Sequence, residues 1–353
     1  MKRWPVIFLL LQTLLLGACG GKDATTPEKP AGGGGLVNPM HPGGDPNDPD
    51  NPDDPDNPGG GQGDEEEPFT LTVASCNVLK PSGRRDEMSL DESIVLETLA
   101  KSIKATKADI IGFNELDENH RYSSKYSLEK ACSLSGTGWS LSWPNKINHY
   151  SVFYYPTYSY ANGFAYNSAK LQLEEDGYIW LSKTENGWYE DAQSAYGNVG
   201  NPERTCVWAK MKHISTGRHF WLFVTHLPTD KQGGAANMAK VVNLFAADKA
   251  GKFPAILTGD MNYGPGTTPY TTLTGYWKDG STLNTGTLSG SSANYYYTVD
   301  VFTKNHPERR IDHIMTRGCK ASNYHTIVET YTYNGQAWCP SDHLPVVATV
   351  TIE

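Results

Sequence analysis

The sequence from Phe69 to Glu353 predicts an α+β fold: a four-layer α/β/β/α sandwich with two packed, mainly antiparallel sheets. Three observations point there. Strand-like runs outnumber helical ones. The helical runs lie between strands rather than in a block, so helices cover the outer faces of paired sheets. Polar residues collect where the apolar runs end, the rim from which a rigid scaffold presents chemistry.

Taken in order, Phe69 to Leu79 alternates and is rich in β-formers, which predicts a strand. Ser89 to Ala108 places Leu90, Ile94, Leu96, Leu99, Ala100 and Ile103 at helical spacing, with Ser89 or Asp91 able to cap the start. Asp109 to Asn114 is a short apolar strand ending at Glu115, and a second helix is expected over Ser123 to Leu134. The aromatic stretch Trp139 to Tyr160 reads as strands with loops, its rings serving sheet packing. Gly163 to Tyr166 and Leu171 to Leu181 are further strands. Arg204 to His213 and His219 to Thr225 form a hairpin around Ser215-Thr216-Gly217, and the second arm ends at His226. Ala235 to Ala250 is helical. Phe253 to Thr258 is a buried strand running into Gly259-Asp260-Met261-Asn262. Tyr296 to Thr303, Arg310 to Met315, Tyr324 to Tyr331 and Leu344 to Ile352 complete the strands.

Ahead of this domain the chain reads differently. Residues 1–19 resemble a bacterial lipoprotein signal peptide: Lys2 and Arg3, an apolar run from Val6 to Leu16, then Leu16-Gly17-Ala18-Cys19. The resemblance implies a lipid on Cys19 and a lipid-anchored protein of the bacterial cell envelope. Lys22-Asp23 hints at display on the outer-membrane surface. Residues 20–68 form an acidic stalk rich in Pro, Gly and Asp, with too few large apolar residues to offset the entropy of ordering. The stalk holds 12 acidic residues against Lys22 and Lys29, so the formal charge of −9 belongs mainly to it. The folded domain, 69–353, is nearly neutral and offers no electrostatic argument for a polyanionic partner. Cys76, Cys132, Cys206, Cys319 and Cys339 include no C-x-x-C pair, which speaks against a zinc ribbon, and their pairing stays open.

The chemistry sits at the strand ends: Asn77, Glu115, His226, Asp260 with Asn262, Asp312, and Asp342 with His343. Carboxylate and amide oxygens around one pocket suit a hard cation, Mg²⁺ or Mn²⁺. Histidines beside them suit proton transfer. His149, His213, His219, His306, His313 and His325 carry no motif support and are read as structural or exposed.

The order of these motifs is Asn77, Asn114-Glu115, Thr225-His226-Leu227, Gly259-Asp260-Met261-Asn262, Arg310-Ile311-Asp312-His313-Ile314 and Ser341-Asp342-His343. It resembles the endonuclease/exonuclease/phosphatase superfamily, with its deoxyribonuclease I-like fold, over nearly all of Phe69 to Glu353. The resemblance implies a metal-dependent phosphoester hydrolase. It makes Glu115 the main metal ligand, with Asn77 and Asp342 near the same ion. Asp260 would align or deprotonate the attacking water, and Asn262 would hold a phosphate oxygen. His343, oriented by Asp312, would hydrogen-bond the phosphate or act as base. His226 would assist the phosphate or leaving group, and Arg204 would bind phosphate.

Two positions depart from that pattern. Many relatives carry a Glu near the place of Tyr160 that orients the residue equivalent to His226, so His226 is expected to lack its carboxylate. Asp117 stands where deoxyribonuclease I-like nucleases place a basic residue, and an acid there repels duplex DNA. The expected partner is a phosphate ester of a lipid headgroup, nucleotide or nucleic acid, handled by a monomer that the N-terminal lipid ties to the membrane. The competing reading is a non-catalytic surface binding protein that retains the fold.

Overall fold

A computed structural model describes residues 67–78, 92–116, 128–136, 138–142, 161–181, 187–189, 204–229, 232–282, 310–333 and 335–353. Expectations for residues 1–66, for Asp117 and Tyr160, and for the strand over Tyr296 to Thr303 lie outside these.

Two sheets carry the fold. The six-stranded sheet runs β12-β15-β1-β2-β4-β3, built from β1 (Phe69–Asn77), β2 (Ile110–Leu116), β3 (Trp139–Ser142), β4 (Ala161–Asn167), β12 (Lys320–Thr326) and β15 (Val346–Ile352). The seven-stranded sheet runs β10-β11-β9-β8-β7-β5-β6. It is built from β5 (Leu171–Leu181), β6 (Trp188–Tyr189), β7 (Thr205–His213), β8 (His219–Thr225), β9 (Ala255–Asp260), β10 (Lys278–Asp279) and β11 (Asp312–Arg317). Among the described strands, only β1 with β2 and β8 with β9 pair in parallel. Each of these pairs is bridged by a helix, as a parallel crossover requires: α1 (Glu92–Thr106) in the first and α3 (Gln232–Ala250) in the second. Among the described residues the other α-helices are α2 (Leu128–Leu134) and α4 (Thr268–Thr274), and a small hairpin of β13 (Tyr331–Tyr333) and β14 (Gln336–Trp338) follows β12.

Local sequence explains the helices. α1 buries Val95, Leu96, Leu99, Ala100 and Ile103 on one face. It stops where Lys107 turns into the left-handed region at φ 49°. α3 buries Ala235, Met238, Ala239, Val242, Phe245 and Ala246, and ends at Gly251, φ 51°, whose N–H reaches back to the Ala247 carbonyl.

The inner layer is apolar. Val73 and Ile110 from one sheet pack with Val207, Leu222, Val224 and Ile256 from the other. Burying each such side chain contributes roughly 1.5–3 kcal/mol. Outside, α3 and α4 cover the seven-stranded sheet through Phe223, Phe245, Leu273 and Trp277. The other outer layer packs α1 and α2 on the six-stranded sheet through Leu99, Ile103, Phe113 and Cys132. The predicted four-layer sandwich is the observed fold. Among the described residues no helix is long and apolar enough to cross a membrane.

Some boundaries differ from expectation. The single strand predicted over Tyr324 to Tyr331 is two, because β12 ends at Thr326, opposite Val346. The next partner residue is Pro345, which has no N–H for the ladder, and its carbonyl takes Ile327 N–H instead. The strand predicted from Phe253 starts at Ala255, since Phe253 N–H closes the turn after α3 on the Ala250 carbonyl and the residue is 52% exposed. The described part of the second helix begins at Leu128. All five cysteines of the domain are buried.

Candidate active site

The functional side chains gather at one end of the sandwich. β1 places Asn77 beside Asn114 of β2, and β9 places Asp260 opposite Asp312 of β11. The turn before β15 brings Ser341, Asp342 and His343 to the same end. There the Ser341 hydroxyl donates to the Asn77 carbonyl at 2.7 Å and accepts the His343 N–H at 3.1 Å.

Glu115 reaches the site through a backbone irregularity. In a regular strand Asn114 and Glu115 would face opposite sides. The β2–β4 register shifts between Phe113 and Leu116, and Glu115 takes φ 58°. This bulge turns both side chains to the same place, as bulges beside active sites do. Asn262 is likewise left-handed at φ 55°. Each such residue stores on the order of 1–3 kcal/mol, which the surrounding packing must hold. Gly259, at φ 147°, comes so close to β8 that a Cβ there would lie 1.8 Å from the Thr225 carbonyl oxygen.

Asp260 is the centre of the cluster. Its Oδ2 lies 3.1 Å from Asn77 Nδ2, 3.3 Å from His226 Nε2 and 3.6 Å from His343 Nε2, while Oδ1 accepts the Asn262 N–H at 2.8 Å. Asn77 Nδ2 also donates to Glu115 Oε1 at 3.3 Å. His343 Nδ1 meets Asp312 Oδ2 at 2.8 Å, both side chains being buried. Asn262 Nδ2 donates to the Leu227 carbonyl at 2.6 Å. Arg204, almost fully buried just before β7, sits near enough to act on His226 by its charge. Asp342 is half-buried next to His343.

The electrostatics are sharply divided. Burial opposes the charge on Asp260, but His343 and His226 hold its carboxyl well below the usual carboxylate range. Burial likewise opposes a charged His343, yet Asp312 and Asp260 raise it well above an ordinary histidine. His226 goes the other way: burial, then the Arg204 charge, lower it and favour the neutral ring. Two imidazoles flanking one carboxylate are thus shifted in opposite directions. Asp260 gives His226 a carboxylate neighbour on the Nε2 side of the ring, while the Tyr160 position, where an orienting Glu was expected to be missing, lies outside the described residues.

The donor set suits a divalent cation. Ligand atoms of Glu115, His226 and Asp260 lie within 4.8 Å of one another, as do those of Asp260, Asp312 and His343, with no thiolate in either group. Carboxylate oxygens with imidazole match Mg²⁺ or Mn²⁺ better than a soft ion. Both groups share Asp260, whereas sequence reasoning placed the ion with Glu115, Asn77 and Asp342. Asn77 does lie between Glu115 and Asp260, where its amide can face an ion.

Sequence reasoning assigned no role to several contributors. Asn114 and Asn162 are wholly buried behind the cluster, and Ser341 pins the last turn to β1. Asn162 could have been noticed as a lone amide opening the apolar run Gly163 to Tyr166. A second dyad lies on the far face of β11, where His313 meets Asp279 at 3.3 Å and the Tyr263 carbonyl at 3.1 Å.

Comparison with known proteins places this cluster. The Endonuclease/Exonuclease/phosphatase family matches residues 74–343. The chain belongs to that family. The family's match spans every residue of the cluster, from Asn77 to His343. Among solved structures, the chain is similar to an endonuclease/exonuclease/phosphatase family protein from Bacteroides thetaiotaomicron. The two are 23% identical over 81% of this chain and 99% of that one, with a TM-score of 0.63. It is also similar to the mannosyl-6-phosphatase Bt3783 of that organism, at 22% identity over 79% and 99%, with a TM-score of 0.61. A third likeness is D. rerio TDP2 complexed with a single-strand DNA product, at 15% identity over 80% and 98%, with a TM-score of 0.54. At these identities the likeness establishes the fold. No curated protein matches the sequence.

Proposed function

We propose that the domain hydrolyses a phosphate ester by in-line attack of water. One observation carries this reading: side chains from two separate sheets converge on Asp260, which stands between His226 and His343 beside Glu115. Glu115, Asn77 and Asp342, with the Asp260 carboxylate beside them, would hold the cation. When bound, Mg²⁺ or Mn²⁺ supplies charge neutralisation for the phosphoryl oxygens.

The chain's own residues divide the remaining work. A carboxylate held strongly ionised is a poor proton acceptor, so Asp260 orients the attacking water more than it deprotonates it. His343, kept charged by Asp312, donates a hydrogen bond to a phosphoryl oxygen. Asn262 keeps one amide hydrogen beyond its bond to Leu227 for another such oxygen. Arg204 adds positive charge, and His226 lies at the leaving-group side. Water oxygen bonds to phosphorus, the bond to the ester oxygen breaks, and the proton lost by water balances the one taken up by the departing alcohol.

Asp117 and the near-neutral domain favour a small or lipid-borne phosphate over long duplex DNA. A mannosyl-6-phosphatase among the similar folds makes a sugar phosphomonoester a fitting addition to the candidates. The test is a panel of sphingomyelin, inositol phosphates, mannose 6-phosphate, nucleotides and single- and double-stranded DNA with Mg²⁺ or Mn²⁺. Glu115→Ala and His343→Ala serve as controls. Turnover of one class, lost in both variants, supports the reading, and no turnover of any substrate sinks it.

The N-terminal segments complete the proposal: a lipid on Cys19 and a disordered stalk over 20–68 would tether the catalytic domain, 69–353, to the cell envelope. Cys19→Ser should move the protein from the membrane to the soluble fraction. Proteolysis between Gly20 and Pro68 should release an intact domain, and a protected stalk would refute its disorder.

A further inference from the structure

The candidate site is assembled across a seam. Asn77, Glu115 and the Asp342-His343 turn belong to the six-stranded sheet, whereas Arg204, His226, Asp260 and Asp312 belong to the seven-stranded one. Apolar packing holds the two sheets together, but it is non-directional. Something directional must fix their registry near the chemistry.

We infer that Asn114 and Asn162 are a positioning pair that locks the two sheets in catalytic register. This role rests on the phosphate-ester reading above. Asn114 Oδ1 accepts the Asp260 N–H at 2.8 Å, and its Nδ2 donates to the Thr225 carbonyl at 3.0 Å and to Asn162 Oδ1 at 2.7 Å. Asn162 Nδ2 donates to the Thr205 carbonyl at 3.0 Å and its hydroxyl at 3.2 Å. The Thr225 hydroxyl also donates to the Thr205 carbonyl at 2.9 Å. Backbone groups of fixed polarity at both ends leave each amide a single orientation.

The placement is the point. Asn114 precedes Glu115, Thr205 follows Arg204, Thr225 precedes His226, and Asp260 is bound by its own backbone N–H. Every bond from the pair to the other sheet therefore lands on a site residue or its immediate neighbour. Both amides are 0% exposed, in surroundings where hydrogen bonds are strong and geometry is enforced. Gly112, two residues before Asn114 on the same face, lets the sheets approach: a Cβ there would lie 2.0 Å from Thr258 Oγ1. Glu115 and Asp260 come from different sheets, so the pair also sets the spacing of two candidate metal ligands.

The test uses the full chain with Asn162→Leu, which keeps the volume and leaves Asn114 Nδ2 its Thr225 acceptor. Bis(4-nitrophenyl) phosphate serves as probe substrate, Mn²⁺ affinity is read by calorimetry, and stability by urea unfolding. Positioning predicts a kcat about 100-fold lower with KM within about threefold, since a small misplacement is enough for such a loss. Mn²⁺ affinity should fall about tenfold in a protein that stays fully folded before urea is added. Should Asn162→Leu not fold, Thr205→Val removes only the hydroxyl partner and should still lower kcat several-fold at unchanged KM. Wild-type kcat and Mn²⁺ affinity in a folded variant overturn the role, as does a kcat loss matched by the unfolded fraction. If the wild type binds Mn²⁺ but turns over no phosphate ester, the proposed function fails, and the variant's Mn²⁺ affinity alone decides the role of the pair.

Discussion

Asp279→Asn tests how far the buried polar architecture behind the site holds the fold. Asp279 is 2% exposed. Its Oδ2 takes the Tyr270 hydroxyl at 2.9 Å and the Ser281 hydroxyl at 2.9 Å, and lies 3.3 Å from His313 Nδ1 and 3.5 Å from Arg310 Nη2. Its Oδ1 takes the Ser281 N–H at 3.1 Å. An amide keeps one acceptor but turns an NH₂ toward these donors and leaves Arg310 without its counter-charge. Breaking a buried pair from one side costs about 3–5 kcal/mol. Arg310 keeps 20% of its side chain in solvent, so the lower end, about 3 kcal/mol, is expected at pH 7. Burial opposes the charge on Asp279, yet His313, through its hydrogen bond and charge, and Arg310 hold its carboxyl well below the ordinary value of 3.8. With the folded value depressed, this stabilisation is complete above the unfolded value and is lost as pH falls through and below it. Urea unfolding of wild type and variant at pH 7 and at about pH 3 measures the difference, and comparing the two cancels the other carboxylates. The gap should narrow in acid. A gap under about 1 kcal/mol at pH 7, or one that does not change in acid, would refute the reasoning.

Asp312→Asn should lower kcat by about 10²–10⁴, since the imidazole loses the carboxylate that keeps it charged and aimed; wild-type turnover would remove Asp312 from the mechanism. In metal-free protein the raised His343 contributes stability that is complete below pH 6.5 and lost as pH rises through the folded value, so the Asp312→Asn penalty in urea unfolding should shrink in alkali. Gly259→Ala should cost at least about 3 kcal/mol, because a methyl 1.8 Å from the Thr225 oxygen at φ 147° cannot be relieved by a side-chain shift; an unchanged melting temperature would contradict this. Chelation should abolish turnover and lower the melting temperature. Re-adding Mg²⁺ at about 100 times its Kd should restore about 2.7 kcal/mol, and insensitivity to chelation would exclude a resident cation.

Much of this was legible in order along the chain. The helical spacing of Leu90 to Ile103 and the run from Ala235 to Ala250 mark helices, each of which buries an apolar stripe in the structure. Strand ends carrying Asn77, Glu115, Asp260, Asp312 and His343 pointed to one pocket, since a sheet edge is where polar side chains can leave an apolar layer. The structure puts those side chains in one cluster. The boundary at Thr326 was not legible, because it depends on Pro345 being the next residue on a distant strand. Asn162 was passed over for a similar reason: an amide at the mouth of an apolar strand gains meaning only when Thr205 and Asn114 face it from elsewhere in the chain.

By itself, then, the sequence determined the layer architecture, the family and the residue types of the site, all of which follow from local pattern and motif order. Tertiary structure alone decided which carboxylate lies between two histidines, and that Asn114 and Glu115 reach the same side. It also decided that burial and neighbouring charges shift His226 and His343 in opposite directions. Those outcomes depend on burial and on distances of a few ångströms between groups far apart in the chain, such as Asp312 and His343 at 31 residues, and neither quantity exists until the sheets have packed.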